Sequence, residues 1–141
     1  FKLKNLFIPF GLAALLLVVS GCSQGGDQSP SLAGTGWKLV ALNGREPVEG
    51  TEITLVFEEE SAGGNAGCNS YGGKYQSEPD GKLQFMDIAQ TLMFCMEPEG
   101  VRDQETEYSN LLLQAARYQI TNDRLEILDE GGDTVLEFER Q

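Results

Sequence analysis

The 141-residue sequence contains no histidine, and this absence excludes several classes of function. The common serine and cysteine hydrolases use an imidazole as general base, so neither mechanism is open to this chain. Zinc sites with histidine ligands and histidine-based pH switches are excluded for the same reason. Hydrolysis that depends on histidine therefore does not explain this protein.

Basic residues are also few. The chain has 10 Lys and Arg residues against 22 Asp and Glu residues, which gives a formal net charge of −12 at pH 7. Nucleic acids and anionic lipid surfaces attract basic proteins, because binding neutralises phosphate groups with Lys and Arg. We therefore predict no nucleic-acid partner for this acidic chain.

Long apolar runs are confined to the start of the chain. Lys2 and Lys4 precede an uncharged run from Leu6 to Val19. This run is shorter than the ~20 residues that a membrane-spanning helix needs, whereas basic residues followed by a short apolar run are typical of a secretory signal peptide. We predict that residues 1–21 are such a signal and that the protein is exported.

The signal ends in Val19, Ser20 and Gly21 followed by Cys22, an arrangement that resembles the bacterial lipoprotein lipobox. The resemblance implies that residues 1–21 are removed and that Cys22 carries acyl chains. Two or three chains, at ~0.8 kcal/mol per buried methylene, would anchor the protein firmly to a membrane. The alternative is an ordinary cleavage site that has a cysteine beside it.

The lipobox resemblance also implies a location. Ser23 follows the anchor, and in enterobacterial lipoproteins an Asp at this position favours the inner membrane. We therefore expect a lipid-anchored protein of the cell envelope, on the outer membrane facing the periplasm rather than on the inner membrane. Loss of Lys2 and Lys4 with the signal removes two positive charges and changes the net charge from −12 to −14.

Two segments are predicted after the signal. Residues 22–34 are rich in Ser, Gly and Gln, a composition that buries little apolar surface. They are predicted to be the lipidated cysteine followed by a flexible tether. Residues 35–141 are predicted to form one folded domain.

The start of this domain is predicted to consist of strands. Apolar residues alternate with polar ones in two runs, and Asn43-Gly44 provides a tight hairpin turn after the first. The inward residues of these runs are Trp37, Leu39 and Ala41 in the first and Ile53, Leu55 and Phe57 in the second.

One helix is predicted from Pro98 onward, with Arg117 near its C-terminal end, where the helix dipole favours cations. Strands before and after a single helix predict a mainly β (α+β) domain: a strongly curved antiparallel sheet or a partly open small β-barrel with one packed α-helix. Such a domain could enclose a small apolar cavity but not a large cofactor, and we predict no cofactor. The helix positions with apolar spacing are Val101, Tyr108, Leu111, Leu112 and Ala115.

Five glycines lie between Gly63 and Gly73. Gly67 and Gly72 have the spacing of a phosphate-binding loop, but Tyr75 stands where Ser or Thr should bind magnesium, and the expected helix does not follow. We attribute these glycines to bulges, sharp bends or close backbone approach in a curved sheet.

Cys68 and Cys95 remain once Cys22 is assigned to the anchor. Cysteines of exported proteins are usually oxidised, so a disulfide is predicted, and it would stabilise the domain by about 3.5 kcal/mol on the chain-entropy estimate. Two buried free thiols are the alternative. A reactive thiol would lack a histidine base and a metal site would lack further soft ligands, so we predict no metal site.

Three stretches carry a resemblance to a known family. They are Gly36-Trp37 with the Leu42-Asn43-Gly44 turn, Ala66-Gly67-Cys68-Asn69-Ser70-Tyr71-Gly72-Gly73, and Thr91-Leu92-Met93-Phe94-Cys95 followed by acids and Tyr108. Together they resemble the META domain family, whose bacterial members include the HslJ-type heat-shock lipoproteins. The resemblance covers about residues 32–140 and implies a barrel-like antiparallel sheet with one helix and no established enzymatic activity. The commoner family form has Arg in place of Leu92 and Ala in place of Phe94.

The shared residues suggest a structural motif. Asn69 can close turns with its side-chain amide and Thr91 can bond neighbouring backbone, so we favour a structural role over a binding role. The tyrosines at positions 71, 75 and 108 are expected in the core rather than in a ligand cleft. The candidate motif consists of Gly67, Cys68, Asn69, Tyr71, Thr91 and Cys95.

The favoured function is a non-enzymatic envelope lipoprotein of the META/HslJ type that supports envelope integrity or stress tolerance. The alternative is a binding module for a small apolar ligand, or an inhibitor of an exported protein. Catalysis is disfavoured, because Glu97 and Glu99 are predicted to point apart at the start of the helix. We expect a monomer that contacts the membrane through its lipid anchor and binds an envelope protein or a small ligand.

Overall fold

The computed structural model describes residues 28–141, so the predictions for the signal peptide and for Cys22 lie outside the described residues. No helix in this range is long and apolar enough to cross a membrane. The helix α1 (Val101–Leu113) lies between the fifth and sixth of eight strands. The strands are β1 (Thr35–Leu42), β2 (Thr54–Phe57), β3 (Ser61–Asn65), β4 (Ser70–Ser77), β5 (Leu83–Gln90), β6 (Arg117–Thr121), β7 (Arg124–Leu128) and β8 (Thr134–Arg140).

The eight strands form one antiparallel sheet in the order β5-β4-β3-β2-β1-β8-β7-β6. The edge strands β5 and β6 approach each other where both strands begin, and there Lys82 and Arg117 form an isolated bridge. There the Leu83 N–H donates a hydrogen bond to the Ala116 carbonyl at 3.0 Å. The sheet is thus strongly curled into a partly open barrel with one packed helix, which confirms the predicted fold class.

The helix α1 lies across one end of the barrel, termed here the helix end. Gln104 on α1 accepts a hydrogen bond from the Val48 N–H in the β1–β2 connection, and Glu105 accepts one from the Asn69 N–H in the β3–β4 turn. The buried apolar residues of this face and of the turn that follows are Val101, Tyr108, Leu111, Leu112 and Ala115, as the helical spacing predicts.

The bounds of the helix differ from the prediction at both ends. Regular helix begins at Val101 rather than at Pro98, because Gly100 at the N-cap has a φ of 86°, a conformation that cannot continue a helix. The prediction that Arg117, near the C-terminal end, complements the helix dipole is also wrong. The helix ends at Leu113, its last turn has no basic residue, and Arg117 begins β6.

Alternating apolar side chains fill the barrel. All three predicted inward residues of the second run, at positions 53, 55 and 57, are buried. In β1 a bulge between Leu39 and Ala41 changes the alternation, so Leu42 is buried while Ala41 is only half-buried. The prediction that Ala41 faces the core is therefore wrong, because a bulge adds one residue to the strand.

Close backbone approach explains the glycines of β3. A Cβ atom at Gly64 would overlap the backbone of Thr54 on β2, and one at Gly63 would lie 2.5 Å from the Tyr71 carbonyl oxygen on β4. No side chain fits at either position. The attribution of these glycines to close backbone approach is thereby confirmed.

Residues 28–34 lie at the opposite end of the barrel, termed here the N-terminal end. Leu32 is 1 % exposed, and the Ser29 N–H donates to the Pro79 carbonyl at 2.8 Å. The Tyr118 hydroxyl donates to the Pro30 carbonyl at 2.8 Å. For residues 29–34 the prediction of a flexible tether is therefore wrong, because burial of Leu32 in the core holds this segment on the domain.

Candidate functional site

A buried carboxylate organises the helix end. Glu105 on α1 is 6 % exposed and faces the β3–β4 turn. Its Oε2 accepts the backbone N–H of Cys68 at 3.2 Å and that of Asn69 at 2.6 Å, and its Oε1 accepts Asn69 Nδ2 at 2.7 Å. Burying a carboxylate is costly unless hydrogen-bond donors surround it. Among the described residues, amide donors rather than a basic side chain supply this compensation.

The Asn69 side chain joins the β3–β4 turn to the segment that follows β5. It is 4 % exposed, and its Oδ1 accepts the Met93 N–H at 2.6 Å while its Nδ2 donates to the Met93 carbonyl at 3.2 Å. Asn69 thus pairs with both backbone groups of Met93, as a neighbouring strand would. Thr91 Oγ1 donates to Asn69 Oδ1 at 2.8 Å and accepts the Ser70 N–H at 3.2 Å. These contacts are of the kind that the predicted structural role requires.

A disulfide joins the same two segments. Cys68 and Cys95 are bonded, with their Cα atoms 6.0 Å apart. The predicted disulfide is thereby confirmed over the alternative of two free thiols. The bond and the Asn69 amide hold residues 91–95 against the β3–β4 turn at two separate points.

Gly67 shapes the turn that aims backbone N–H groups at Glu105. Its φ of 111° lies in a region that L side chains rarely adopt, and its N–H donates to Asn65 Oδ1 at 2.7 Å. A Cβ atom at this position would make ordinary contacts, the nearest at 3.5 Å from Gln104 Nε2. Backbone conformation rather than lack of space therefore requires glycine here.

Tyr71, the remaining motif residue, forms a buried pair with Tyr108. Their hydroxyl oxygens are 2.6 Å apart, and the Tyr71 hydroxyl donates to the Thr54 carbonyl at 2.8 Å. Since a phenol has one proton, Tyr108 donates to Tyr71. Burial raises the pKa of both hydroxyls above the ordinary value of 10.0, and Tyr71 raises that of Tyr108 further. Both phenols are neutral at physiological pH, so they contribute packing and hydrogen bonds.

The segment that Asn69 and the disulfide hold presents apolar side chains to solvent. We name residues 92–96 the apolar loop. The Arg102 guanidinium stacks over the Phe94 ring, with Cζ 3.9 Å from the ring centroid, in a cation–π contact. The exposed fractions are 92 % for Leu92, 60 % for Met93, 68 % for Phe94 and 76 % for Met96.

Two polar residues of this site, Gln104 and Glu105, were missed by the sequence analysis. Gln104 Oε1 accepts the Val48 N–H at 2.5 Å and its Nε2 donates to Thr51 Oγ1 at 3.0 Å, so it holds the β1–β2 connection. Both residues lie at helical spacing from the apolar positions of α1. A polar residue within an apolar helical pattern was the available signal, since burial there requires partners.

Four further features of the described residues bear on ligand binding. Every buried side-chain nitrogen or oxygen atom within residues 28–141 has a hydrogen-bond partner. Glu97 and Glu99, the pair considered for catalysis, are exposed on either side of Pro98. A groove of about 640 Å³ lies between the start of β5 and the end of α1, with Gln84, Leu113 and Glu130 among its lining residues. In the same range no three His, Cys, Asp or Glu side chains converge as metal ligands.

Comparison with known families decides to which family the chain belongs. Residues 30–141 match the META domain. The chain belongs to the META domain family. The match begins at Pro30, whose carbonyl accepts the Tyr118 hydroxyl, so the META domain includes residues that were predicted to be tether.

Solved structures share the fold of this META domain. A protein from Burkholderia xenovorans, determined by NMR, is 31 % identical with a TM-score of 0.64, over 78 % of this chain and 83 % of that chain. A second NMR structure is 21 % identical with a TM-score of 0.61, over 77 % and 90 %. A DUF4847 family protein from Bacteroides vulgatus is 15 % identical with a TM-score of 0.57, over 77 % and 93 %. No curated protein matches this chain significantly.

Proposed function

We propose that this META domain protein is a lipid-anchored, non-enzymatic protein of the bacterial cell envelope. In this proposal it supports envelope integrity or stress tolerance through contacts with other envelope components. The observation that carries the proposal lies at the helix end. There the buried polar groups bond to one another and to the backbone, and together they hold an apolar loop in solvent.

The burial and the existing hydrogen bonds of these polar groups argue against catalysis. A general acid or base must reach the proton of a bound substrate. Glu105 and Asn69 are 6 % and 4 % exposed, and their hydrogen-bonding atoms already have partners within the domain. Thr91 is exposed, but its hydroxyl donates to Asn69. These observations support a role of the site as a surface rather than as the source of a reactive group.

The path of the chain supports an anchored domain. Residues 29–34 pack at the N-terminal end of the barrel, and Cys22 lies seven positions before Ser29. An acylated Cys22 would hold the N-terminal end near the membrane and direct the helix end away from it. The apolar loop would then be presented to proteins of the surrounding compartment.

The structure favours one of the two alternative functions, binding of an exported protein, over the other, binding of a small apolar ligand. A small apolar ligand inside the sheet would need free space, but the interior holds the fully buried side chains of Trp37, Phe57, Tyr108 and Phe138. Binding of an exported protein is a second candidate, and the exposure of the apolar loop favours it.

Deletion and complementation in the host bacterium test the proposal. The deletion strain receives the full chain, Cys22→Ser or the control Ser23→Ala. We expect a labelled fatty acid to be incorporated by the full chain and the control but not by Cys22→Ser. We also expect lower survival or a leakier envelope in the deletion strain under heat, restored better by the full chain than by Cys22→Ser.

Two results would count against this proposal. Fatty-acid incorporation into Cys22→Ser would contradict the anchor. Unchanged survival, permeability and drug sensitivity of the deletion strain would contradict the envelope role.

A further inference from the structure

We infer that the apolar loop is a docking surface for a segment of an exported protein, and that this segment presents apolar side chains flanked by Lys or Arg. The inference rests on the proposed function in one respect: the lipid anchor at Cys22 orients the domain.

The apolar loop is fixed in its exposed position before any partner arrives. Cys95 is bonded to Cys68, and Met93 is held through both backbone groups by Asn69. Contiguous exposed apolar side chains are unusual on monomeric proteins and mark interaction sites. A loop that is already ordered loses little conformational entropy on binding, so even a small surface can bind a partner.

Charge around the apolar loop selects the partner. Glu97, Glu99 and Asp103 are exposed beside it, and within residues 28–141 none of the three forms a salt bridge. The basic residue among them, Arg102, stacks over Phe94. An apolar centre with an acidic rim is complementary to an apolar segment with basic flanks.

A second copy of this chain fits this surface poorly. A two-fold contact through the apolar loop would bring two acidic rims together, and like charges across an interface repel. The exposed apolar surface also comes from four side chains, whereas a stable interface buries roughly 800 Å² on each partner. A short segment of a partner protein matches this size better.

The membrane that holds the anchor is also an unsuitable occupant. Strand β4 runs from the helix end to the N-terminal end, and its eight residues span about 25 Å at ~3.3 Å each. The chain from Cys22 to Ser29 reaches about 25 Å only when fully extended. Contact between the apolar loop and that membrane would thus need a fully stretched connection, and anionic lipids would repel the acidic rim.

Photo-cross-linking of the full chain in living cells of the host tests the inference. Benzoylphenylalanine replaces Met96 in the apolar loop or, as a matched control, Leu113, which is 59 % exposed on α1. We expect the probe at position 96 to cross-link another protein at a segment with apolar residues beside Lys or Arg. The probe at position 113 should give about tenfold less of this product, because binding energy is concentrated in few residues.

Two variants combined with the probe at position 96 separate the apolar and charged contributions. Leu92→Asn with Phe94→Asn should lower the cross-link yield about tenfold. Neutralising the rim with Glu97→Gln, Glu99→Gln and Asp103→Asn should lower it about threefold and weaken its dependence on salt. Thiol labelling checks that Cys68 and Cys95 remain bonded in each variant, since an unfolded domain would expose them to reduction.

Each other outcome overturns the inference: cross-links to a second copy, to phospholipid or to a segment without basic residues, no cross-link from position 96, or a yield that the rim variant leaves unchanged. These results are separable from failure of the proposed function. A deletion strain without a phenotype, in which the expected cross-links still form, removes the envelope role and leaves the docking surface. A phenotype without cross-links does the reverse.

Discussion

The two ends of the barrel are closed by different chemistry. At the N-terminal end the buried Leu32 side chain and backbone hydrogen bonds from Ser29 and Gly34 hold residues 28–34 in place. At the helix end a carboxylate, an amide and a disulfide join α1, the β3–β4 turn and the apolar loop. Both ends bury apolar side chains, but among the described residues the disulfide and the buried carboxylate bonded to backbone N–H groups belong to the helix end.

This difference bears on how precisely each end positions the segment that it holds. Apolar burial stabilises a segment without dictating its detailed geometry, whereas buried hydrogen bonds require particular distances and angles. The bonds at the helix end position the backbone of Met93 and so determine where the apolar loop lies. We expect variants at the helix end to alter this loop locally, and variants at the N-terminal end to lower global stability alone.

The largest expected effect follows from removing the buried carboxylate. Glu105→Leu should lower the free energy of unfolding by about 4 kcal/mol, because three buried N–H donors of Cys68 and Asn69 lose their acceptor. Asp103→Asn on the exposed face of α1 is the control and should cost less than about 0.5 kcal/mol. Urea unfolding followed by circular dichroism measures both. Equal effects would show that the helix end does not depend on its carboxylate.

The next expected effect comes from the disulfide. Cys68→Ser with Cys95→Ser should lower the free energy of unfolding by about 3.5 kcal/mol. Since one of the two links to the apolar loop is lost, chymotrypsin should also cut after Leu92 or Phe94 faster than global unfolding permits. Proteolysis under native conditions measures this. Cleavage no faster than global unfolding would mean that the Asn69 contacts alone hold the loop.

Leu32→Ala probes the N-terminal end and should cost about 3 kcal/mol, because it leaves a cavity in the core. Leu32→Met, which conserves volume, should cost less than about 1.5 kcal/mol. Cleavage of the apolar loop should rise only as far as the lower global stability requires. A selective increase at this loop would show that the two ends are coupled and would remove the contrast between them.

The smallest expected effect concerns an ion pair at the surface of the helix end. Arg45 Nη2 donates to both Glu107 carboxylate oxygens, at 2.7 and 2.6 Å, and this contact, with a smaller effect of Asn43, lowers the pKa of Glu107 below 4.5. A lowered pKa in the folded state contributes stability above the unfolded value that is lost as the pH falls through the folded value. Arg45→Met should therefore lose less stability than the unchanged protein as the pH falls below about 4.5. Arg45→Lys keeps a cation beside Glu107 and should show most of the original pH-dependent loss. Unfolding midpoints measured against pH check this, and an unchanged slope in Arg45→Met would contradict it.

Patterns between residues close in sequence predicted many of the strands and the buried face of the helix, and the cysteine content predicted the disulfide. The alternation from Ile53 to Phe57, the apolar face of α1 and the disulfide between Cys68 and Cys95 are all present. The prediction for Ala41 failed because the bulge in β1 depends on its pairing with β8. The prediction for residues 29–34 failed because their composition indicates a tether, while Leu32 finds a place in a core built by distant strands.

By itself the sequence predicted the family, the fold class and the disulfide, with two free thiols open as the alternative, from periodicity, turn residues and the motifs around Gly67 and Thr91. Only the tertiary structure decided that Glu105 is buried and that the apolar loop is exposed. Both depend on how α1 crosses the helix end, which brings Glu105 to backbone N–H groups 36 and 37 positions away. An apolar sequence predicts burial unless directional bonds from elsewhere hold it in solvent, as Asn69 and Cys68 do here.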